Sequence, residues 1–309
     1  MLICVLLCKS ETDFVQAIFF AQTLWFVLCG KLKNPQSGHR SNNKHTQTLF
    51  IHFLMSSSLS HVATNLAGRN CVITGASSGI GHCITQTFGR LGMNMAILAR
   101  SEDKLQVLAR ECHQLSPQPI QVHVIPTDMS DKQSVDSSVD TITQVFDHKV
   151  HYLINCAGVS ENRSCSVVES DADDWENTLM VNLVNTMRLT QKLSRMIVES
   201  KDQGAIVNIG SMSGTMVGSG VPAYYASKHG IRAFSHNLYD EIRSQGTKVS
   251  VIEPGMVNTP MVSSSDTLDP SKMIQTSDIA DAVLYVLTSS PTVCPVEIVL
   301  RPQRPVRKD

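Results

Sequence analysis

The sequence predicts a protein of the α/β class, with a doubly wound, seven-stranded parallel sheet and helices on both of its faces. From about Asn65 onward, short apolar runs alternate with longer segments in which apolar residues recur at helical spacing. The short runs are apolar throughout, as parallel strands are when helices cover both faces. With 309 residues, 42% of them hydrophobic, the chain is long enough to bury such a core.

Strands and helices alternate along residues 56–309, which we assign to one domain. The predicted strands are Asn70–Thr74, Asn94–Ala99, Ile120–Pro126, His151–Asn155, Ala205–Ile209, Thr247–Glu253 and Val296–Leu300. The predicted helices are 79–91, 101–115, 131–147, 172–200, 222–245 and 277–289. No internal repeat interrupts the alternation, so a single doubly wound domain accounts for the whole region.

Charge and cysteine content exclude several classes of protein. The 26 basic and 27 acidic residues give a formal net charge of -1, so we expect no broad positive surface and no nucleic-acid partner. The nine cysteines are scattered singly without a CxxC pair. This pattern disfavours a disulfide scaffold and a zinc module, and it favours reduced thiols in a cytoplasmic protein without a bound metal.

Residues 1–55 form a predicted N-terminal extension of different composition. Phe14 to Cys29 is a nearly unbroken apolar run of about 16 residues, shorter than the roughly 20 that a membrane-spanning helix needs. Two interpretations stay open: a dispensable extension, with Met55 as an alternative start, or a weak membrane anchor. Basic residues follow the run, so an anchor would leave the domain facing the cytoplasm.

The first predicted strand continues directly into a glycine-rich turn, Thr74-Gly75-Ala76-Ser77-Ser78-Gly79-Ile80-Gly81. Gly75 permits a tight turn, Gly79 lets the backbone approach a pyrophosphate, and Gly81 allows close packing of helix and strand. The following helix offers unpaired N–H groups to the phosphates. We therefore predict a dinucleotide site of Rossmann type, with an ordinary glycine-rich turn as the alternative. Its candidate contacts are Gly75, Ser77, Ser78, Gly79, Ile80 and Gly81.

The end of the second strand, Ala99-Arg100-Ser101, predicts which dinucleotide binds. An NAD site usually has an acidic residue here that binds both ribose hydroxyls, whereas an arginine suits the 2′-phosphate of NADP. Ala99 provides no acid, and Arg100 provides a forked cation. The sequence therefore favours NADP(H) over NAD(H), with a solvated cation before the next helix as the alternative for Arg100.

Tyr224 and Lys228 lie four residues apart in a predicted helix and therefore project from one face. A phenol has a pKa of roughly 10, and a nearby ammonium group favours its ionised form. Such a pair suits proton exchange between an alcohol and a carbonyl compound. Tyr225 is followed at the same spacing by His229, so we assign the pair to Tyr224 and Lys228.

The spacing TGxxxGxG, combined with this YxxxK pair, resembles the short-chain dehydrogenase/reductase family. The segments Asn155–Gly158 and 254–259 extend the resemblance, which covers residues from about 65 to 300 with the motifs in the family's order. The last strand and the helix before it resemble the branch that reduces small carbonyls and oxidises hydroxy acids.

The resemblance implies roles for two further residues of the catalytic set. Ser211, 13 residues before Tyr224, corresponds to the serine that hydrogen-bonds the substrate oxygen, with Ser213 as the second choice. Asn182 corresponds to the asparagine that holds a water beside the lysine. Without the resemblance, a mid-helix asparagine indicates a surface residue or a local kink.

The resemblance also implies further cofactor contacts. Asp128 corresponds to the acid set against the adenine ring, and capping of the helix that begins near Asp131 is an alternative or an additional role for it. The remaining candidates border the cofactor, with those of 254–259 near the nicotinamide carboxamide, and two of them, Tyr224 and Lys228, belong to the catalytic set. They are Asn155, Ala157, Gly158, Tyr224, Lys228, Pro254, Gly255, Val257 and Thr259.

Two residues depart from the family's pattern. Cys156 stands where a second asparagine is usual, which we expect to loosen a structural support and leave the chemistry intact. Gly210 stands where a second serine is common, and it raises no doubt about Ser211.

These residues predict an NADP-dependent oxidoreductase that interconverts an alcohol, or a hydroxy acid, and a carbonyl compound. A membrane-anchored lipid or steroid ketoreductase is the alternative if residues 14–29 are retained, and a non-catalytic dinucleotide sensor is disfavoured by the intact catalytic set. The predicted partner is a small-molecule substrate. We also expect a homodimer or homotetramer, formed through the faces of helices 172–200 and 222–245.

A lid over the substrate is predicted for Met256 to Gln275. It is polar at its centre and offers several apolar side chains as a wall. No charge in it selects a carboxylate or a phosphate, so the sequence leaves the substrate unidentified.

Overall fold

The computed structural model describes residues 66–161, 167–168, 170–200, 203–262 and 267–308. The extension predicted for residues 1–55, with its apolar run, lies outside these residues, and the proposed domain boundary therefore stays a prediction. No helix in the described ranges is long and apolar enough to cross a membrane.

The first half of the described chain alternates strands and helices. It contains β1 (Asn70–Thr74), α1 (Gly79–Arg90), β2 (Asn94–Ala99), α2 (Glu102–Leu115), β3 (Val122–Pro126), α3 (Lys132–Val145) and β4 (Tyr152–Asn155). Each connection returns across the sheet, so neighbouring strands pair in parallel.

The second half continues the alternation with longer helices. It contains α4 (Ala172–Leu179), α5 (Asn185–Glu199), β5 (Ala205–Ile209), α6 (Pro222–Ile242), β6 (Lys248–Pro254), α7 (Thr276–Thr288) and β7 (Glu297–Leu300). A π-helical turn, Met180–Val184, joins α4 to α5. Short 3₁₀ turns at Met212–Gly214 and Pro270–Lys272 follow β5 and β6.

Within the described residues, the seven strands form one parallel sheet in the order β3-β2-β1-β4-β5-β6-β7. The order reverses between β1 and β4, where the connections change faces. In open parallel sheets, ligands bind beyond the carboxyl ends of the strands at such a switch point.

Two apolar clusters lie on opposite faces of the sheet. Ile73 of β1 belongs to the cluster that contains Phe88 of α1, whereas the preceding Val72 belongs to the one that contains Leu193 of α5. Alternate residues of a strand point to opposite faces, so one apolar strand supplies both clusters. Each fully buried side chain of this size contributes about 1.5–3 kcal/mol relative to exposure.

The structure confirms the predicted fold class: a seven-stranded parallel sheet with helices around it. Strand and helix ends shift by only a few residues from the predicted bounds. One difference is larger, because the single helix predicted for 172–200 contains the π-helical turn at Met180–Val184. A π turn accommodates one extra residue inside a helix, and hydrophobic periodicity does not reveal it.

Candidate active site

The glycine-rich turn connects β1 to the N terminus of α1. Gly75 has φ +69°, and a Cβ added to it would lie 2.8 Å from the backbone N of Ala157. Gly81 packs against the backbone of Gly75 so closely that a side chain there is excluded. Ser78 begins α1 with an extended backbone and makes no capping bond to the described residues. The first N–H groups of α1 therefore stay open to an anion.

A cleft of ≈ 260 Å³ lies against this turn, and we call it the glycine cleft. Its lining includes ten of the predicted cofactor residues: Gly75, Ser77, Ser78, Gly79, Ile80, Arg100, Asp128, Ala157, Gly158 and Thr259. The open helix N terminus and the side-chain-free backbone fit the phosphates of a dinucleotide.

Arg100 and Asp128 lie on the rim of the glycine cleft. Arg100 is exposed, and Asp128 accepts hydrogen bonds from the backbone N (2.9 Å) and the hydroxyl (2.8 Å) of Ser130. These bonds, with the charge of Arg100, hold the pKa of Asp128 below its ordinary value. The alternative that Asp128 caps the next helix is wrong, because Asp131 caps α3 through Gln133 N and Ser134 N.

Besides Tyr224 and Lys228, which are described below, five predicted cofactor residues lie outside the lining of the glycine cleft. Gly81 packs beneath the turn, Pro254 ends β6, and Val257 is buried in a bridge with Ile274. Gly255 lines the second pocket described below.

The fifth of these residues, Asn155, connects β4 to helix α5 and to strand β5. Its side-chain amide donates to Thr190 Oγ1 (2.9 Å) and to Asn208 Oδ1 (2.7 Å).

The neighbouring Cys156 is held from the other side, since its backbone N donates to Thr74 Oγ1 at 3.0 Å. Ala157 N donates to the same hydroxyl at 3.0 Å. These two backbone N–H groups fix the loop after β4. A cysteine provides the same backbone group as the asparagine that is usual at position 156. Burial raises the pKa of the Cys156 thiol to about 12, so the thiolate form is disfavoured.

Tyr224 and Lys228 project from the first turns of α6 as predicted. The Lys228 amine lies 5.5 Å from the centre of the Tyr224 ring and donates to the carbonyl oxygen of Ile209 at 3.0 Å. Lys228 is buried, with 6% of its surface exposed. The amine is therefore fixed between the end of β5 and the Tyr224 ring.

Ser211 lies directly after β5 and begins the 3₁₀ turn at Met212–Gly214. Its hydroxyl accepts from Ser213 N at 3.1 Å. Ser211, Ser213 and Tyr224 all line a second pocket of ≈ 570 Å³, which we call the serine–tyrosine pocket. The structure thus brings both candidate serines and the tyrosine to one cavity, and Ser213 stays an alternative.

Asn182 lies inside the π-helical turn and is 3% exposed. Its Oδ1 accepts from Val159 N, and its Nδ2 donates to Val159 O, both at 2.8 Å. Nδ2 also donates to Ser227 Oγ at 3.1 Å. A Cβ on Gly158 would lie 3.5 Å from Asn182 Oδ1 and 3.9 Å from the Lys228 amine, so both side chains adjoin the same glycine. Asn182 is therefore not a surface residue.

The serine–tyrosine pocket has a wall that the sequence did not indicate. Residues 301–306, here called the C-terminal strap, line it and bring Arg301 and Arg304 to it. The strap is held against the lid, because Asp269 N donates to Val306 O at 2.8 Å. Neither arginine forms an ion pair with a described residue. The rest of the wall is apolar and includes Met212, Met216, Met256, Met261 and Val262.

Glu161 is a second residue that the sequence did not indicate. It is 7% exposed, and its carboxylate accepts from the backbone N–H groups of Ala223 and Tyr224 at the start of α6. One feature of the sequence could have indicated such a residue. Val221 and Pro222, at the start of a predicted helix, provide no side-chain cap, so the cap must come from elsewhere in the chain.

Glu253 of β6 is buried beneath α6 with an exposed fraction of 0%. Its carboxylate lies 3.6 Å from Arg232 Nε and has no hydrogen-bond donor among the described residues. Glu297, which binds Arg232 and His236 at 2.8 Å, adds a like charge beside it. Burial, and then the charge of Glu297, raise the pKa of Glu253 to about 7, while Arg232 opposes the shift.

Comparison with known proteins identifies the class. A family model described as short chain dehydrogenase matches residues 69–269. An uncharacterized oxidoreductase of Staphylococcus haemolyticus is 33% identical over 241 residues, covering 77% of this chain and 99% of the relative. The chain therefore belongs to the short-chain dehydrogenase/reductase family, as its motifs predicted, and it is an oxidoreductase of that family.

Two solved structures share the fold at low sequence identity. An alcohol dehydrogenase from the archaeon Thermococcus sibiricus, complexed with 5-hydroxy-NADP, is 25% identical with a TM-score of 0.69, covering 77% of this chain and 98% of that one. A metagenomic short-chain oxidoreductase in complex with NADP is 26% identical with a TM-score of 0.65, covering 78% and 100%.

The buried acid gives a prediction on stability. The folded-state pKa of Glu253 lies above its ordinary value of 4.5, so the folded protein binds more protons than the unfolded chain between about pH 4.5 and 7. The free energy of unfolding should therefore fall as pH rises through this window. In Glu253→Gln, the decrease in the free energy of unfolding between pH 5 and pH 8 should be smaller than in the wild type by about 1–3 kcal/mol. Urea unfolding at the two pH values measures this decrease.

The matched control is Glu241→Gln, which removes the same charge from an exposed position on α6. It should leave the pH dependence as in the wild type. Equal pH dependence in Glu253→Gln and the wild type would contradict the assignment.

Proposed function

We propose that this protein is an NADP-dependent oxidoreductase that interconverts an alcohol and a carbonyl compound, with Tyr224 as the general acid and base. The observation that carries the proposal is the placement of the Lys228 amine 5.5 Å from the centre of the Tyr224 ring. Tyr224 itself lines the serine–tyrosine pocket. A bound nicotinamide dinucleotide supplies the hydride in reduction and accepts it in oxidation.

In the direction of reduction, the Tyr224 hydroxyl donates its proton to the carbonyl oxygen as the alcohol forms. The ammonium charge of Lys228 stabilises the phenolate that remains. Ser211 binds the same substrate oxygen through its hydroxyl, which stabilises the negative charge that develops there. Asn182 fixes the Gly158–Val159 backbone beside the lysine, and we assign it the relay water on the family's pattern.

The positive charge of Arg100 on the rim of the glycine cleft favours NADP(H) over NAD(H). Ala99 and Arg100 both line the cleft, and they offer a cation for a 2′-phosphate without an acid for a free 2′-hydroxyl. The two solved relatives bound to NADP or its 5-hydroxy form support the same choice.

Among possible substrates, the C-terminal strap favours a hydroxy acid or keto acid over a neutral alcohol. Arg301 and Arg304 line the serine–tyrosine pocket, and no acidic residue does so among the described residues. A guanidinium group binds a carboxylate through two parallel hydrogen bonds, and the methionine wall suits a short apolar body.

A homodimer or homotetramer in the cytoplasm completes the proposal. Val184 and Met187 lie three residues apart within the segment 172–200 predicted to form the interface, and with 42% and 38% exposure they offer apolar surface to a partner chain. Light scattering should give a mass above the 33.9 kDa of one chain. The five described cysteines are free, which suits a reducing compartment.

Tyr224→Phe tests the mechanism. Phenylalanine keeps the ring but lacks the transferable proton, so the rate of NADPH-dependent carbonyl reduction should fall by about 10²–10⁴-fold. The dissociation constant for NADPH, measured by fluorescence, should stay close to that of the wild type. Wild-type turnover in this variant would contradict the mechanism, and NADPH binding without turnover in the wild type across a carbonyl panel would favour a sensor.

Arg100→Ala tests cofactor choice. Loss of the charge-assisted hydrogen bonds to the 2′-phosphate should weaken NADPH binding by about 10–100-fold and change NADH binding little. The control is Arg110→Ala, an exposed arginine on α2 outside the glycine cleft. Equal losses for both cofactors would make Arg100 a surface cation without a role in recognition.

Arg304→Gln and Arg301→Gln test the substrate class with a matched pair, 4-oxopentanoate and its methyl ester. The acid should lose about tenfold in kcat/KM in at least one variant, whereas the ester should be unaffected. Arg307→Gln is the control, because Arg307 follows the strap without lining the pocket. A wild-type enzyme that prefers the ester would exclude the anionic substrate and leave the oxidoreductase assignment standing.

A further inference from the structure

The catalytic helix begins without a cap of its own. Val221 occupies the N-cap position, its side chain has no polar atom, and Pro222 follows as the first helical residue. Proline has no N–H group, so the N–H groups at this end that lack an acceptor within the helix are those of Ala223 and Tyr224. One of the two uncapped donors therefore belongs to the tyrosine of the catalytic pair.

Glu161 satisfies both of these donors from a different part of the chain. Its Oε1 accepts from Ala223 N at 2.8 Å, and its Oε2 accepts from Tyr224 N at 3.1 Å. The carboxylate is almost fully buried, with 7% exposure, and it faces the positive end of the helix dipole. The sequence separation is 62 and 63 residues, so this contact is tertiary rather than part of the helix.

The other side of the Tyr224 peptide is held as well. Ser227 Oγ donates to Tyr224 O at 2.8 Å and accepts from Asn182 Nδ2 at 3.1 Å. Asn182 also binds both backbone groups of Val159, two residues before Glu161. The bonds therefore close a ring that runs from Asn182 through Val159 and Glu161 to Tyr224, and back through Ser227.

We propose that Glu161 and Ser227 are positioning residues that clamp the Tyr224 backbone from its N–H and its carbonyl side. The inference rests on the proposed function, in which the Tyr224 hydroxyl must meet the substrate oxygen. A tyrosine side chain has two rotatable bonds, so the position of its hydroxyl depends on the position of its backbone. A displacement of about 1 Å in reacting groups can lower a rate by about 10²-fold.

Glu161 also couples two walls of the site. It follows the Gly158–Val159 backbone, part of which lines the glycine cleft, and it contacts the helix whose tyrosine lines the serine–tyrosine pocket. The clamp thus sets the distance between the cofactor side and the proton donor. An ordinary helix cap would stabilise α6 without affecting this distance.

The test separates the clamp from simple capping. Glu161→Ala should lower kcat by about 10–100-fold at saturating NADPH, with the NADPH dissociation constant unchanged, because Glu161 lies outside the lining of the glycine cleft. Glu161→Gln, which keeps one acceptor oxygen, should recover part of that loss. If Glu161→Ala does not fold, Glu161→Gln against the wild type decides the question.

The matched control is Asp131→Ala. Asp131 caps α3 through two backbone N–H groups, as Glu161 caps α6, but α3 contributes neither Tyr224 nor Lys228. It should lower the melting temperature and leave kcat unchanged. A loss of kcat in Asp131→Ala as large as in Glu161→Ala, or wild-type kcat in a folded Glu161→Ala variant, would overturn the clamp.

Ser227→Ala tests the second contact. If both side chains hold one peptide, the losses of kcat in Glu161→Ala and Ser227→Ala should not multiply in the double variant. Multiplying losses would mean that the two residues act independently and would overturn the ring.

Hydrogen exchange distinguishes failure of the clamp from failure of the proposed function. The amides of Ala223 and Tyr224 should be protected in the wild type and should exchange at least tenfold faster in Glu161→Ala, whatever reaction the protein catalyses. Protection that is unchanged in Glu161→Ala overturns the clamp. If exchange at these amides is faster in Glu161→Ala as expected, but the wild type shows no turnover, the proposed function alone is overturned.

Discussion

The bond from the Lys228 amine to the carbonyl oxygen of Ile209 is the interaction on which the site depends. It joins the catalytic helix to the last residue of β5, at the edge where the carboxyl ends of the parallel strands meet. An ammonium group buried to 6% exposure requires such an acceptor, because an unpaired charge there would be costly. The same bond leaves Tyr224 on the neighbouring turn, close to Ser211, which follows Ile209 by two residues.

Side-chain hydrogen bonds across the sheet keep this edge in place. Asn155 of β4 donates to Asn208 of β5, and Asn208 donates to Ser235 of α6 at 2.8 Å. These residues are at most 4% exposed, so each bond replaces water that the core excludes. A shift of a strand or of α6 would leave these buried groups unpaired at a cost in free energy. The network therefore favours the observed register of the strands and the helix. The candidate active site therefore rests on polar contacts within an otherwise apolar core.

The sequence predicted the fold, and part of the geometry of the candidate site, where local pattern determines them. Continuous apolar runs revealed every strand, and four-residue spacing revealed that Tyr224 and Lys228 share a face. The glycine-rich turn was predictable because a positive φ at Gly75 is costly for other residues. Each of these features depends on residues that are close along the chain.

Features that depend on tertiary contacts were missed. The π-helical turn around Asn182 was missed, because a single inserted residue within one turn is too short a feature for apolar spacing to resolve. Glu161 could not be assigned to α6, since its partners lie more than sixty positions away. Arg301 and Arg304 lie beyond the predicted lid, and only the path of the strap brings them to the pocket. Family resemblance supplied Ser211 and Asn182 where local pattern did not.

Two buried carboxyl groups contact the catalytic helix, and their different surroundings follow from helix electrostatics. Glu161 meets the N terminus, where free N–H groups and the positive end of the dipole stabilise an anion. Glu253 meets the middle of the helix, where backbone N–H groups are already used, and among the described residues it finds only Arg232, at 3.6 Å, as a cation. Burial then favours its protonated form near neutral pH. The position of each acid along α6 therefore decides whether it can hold the helix through charge.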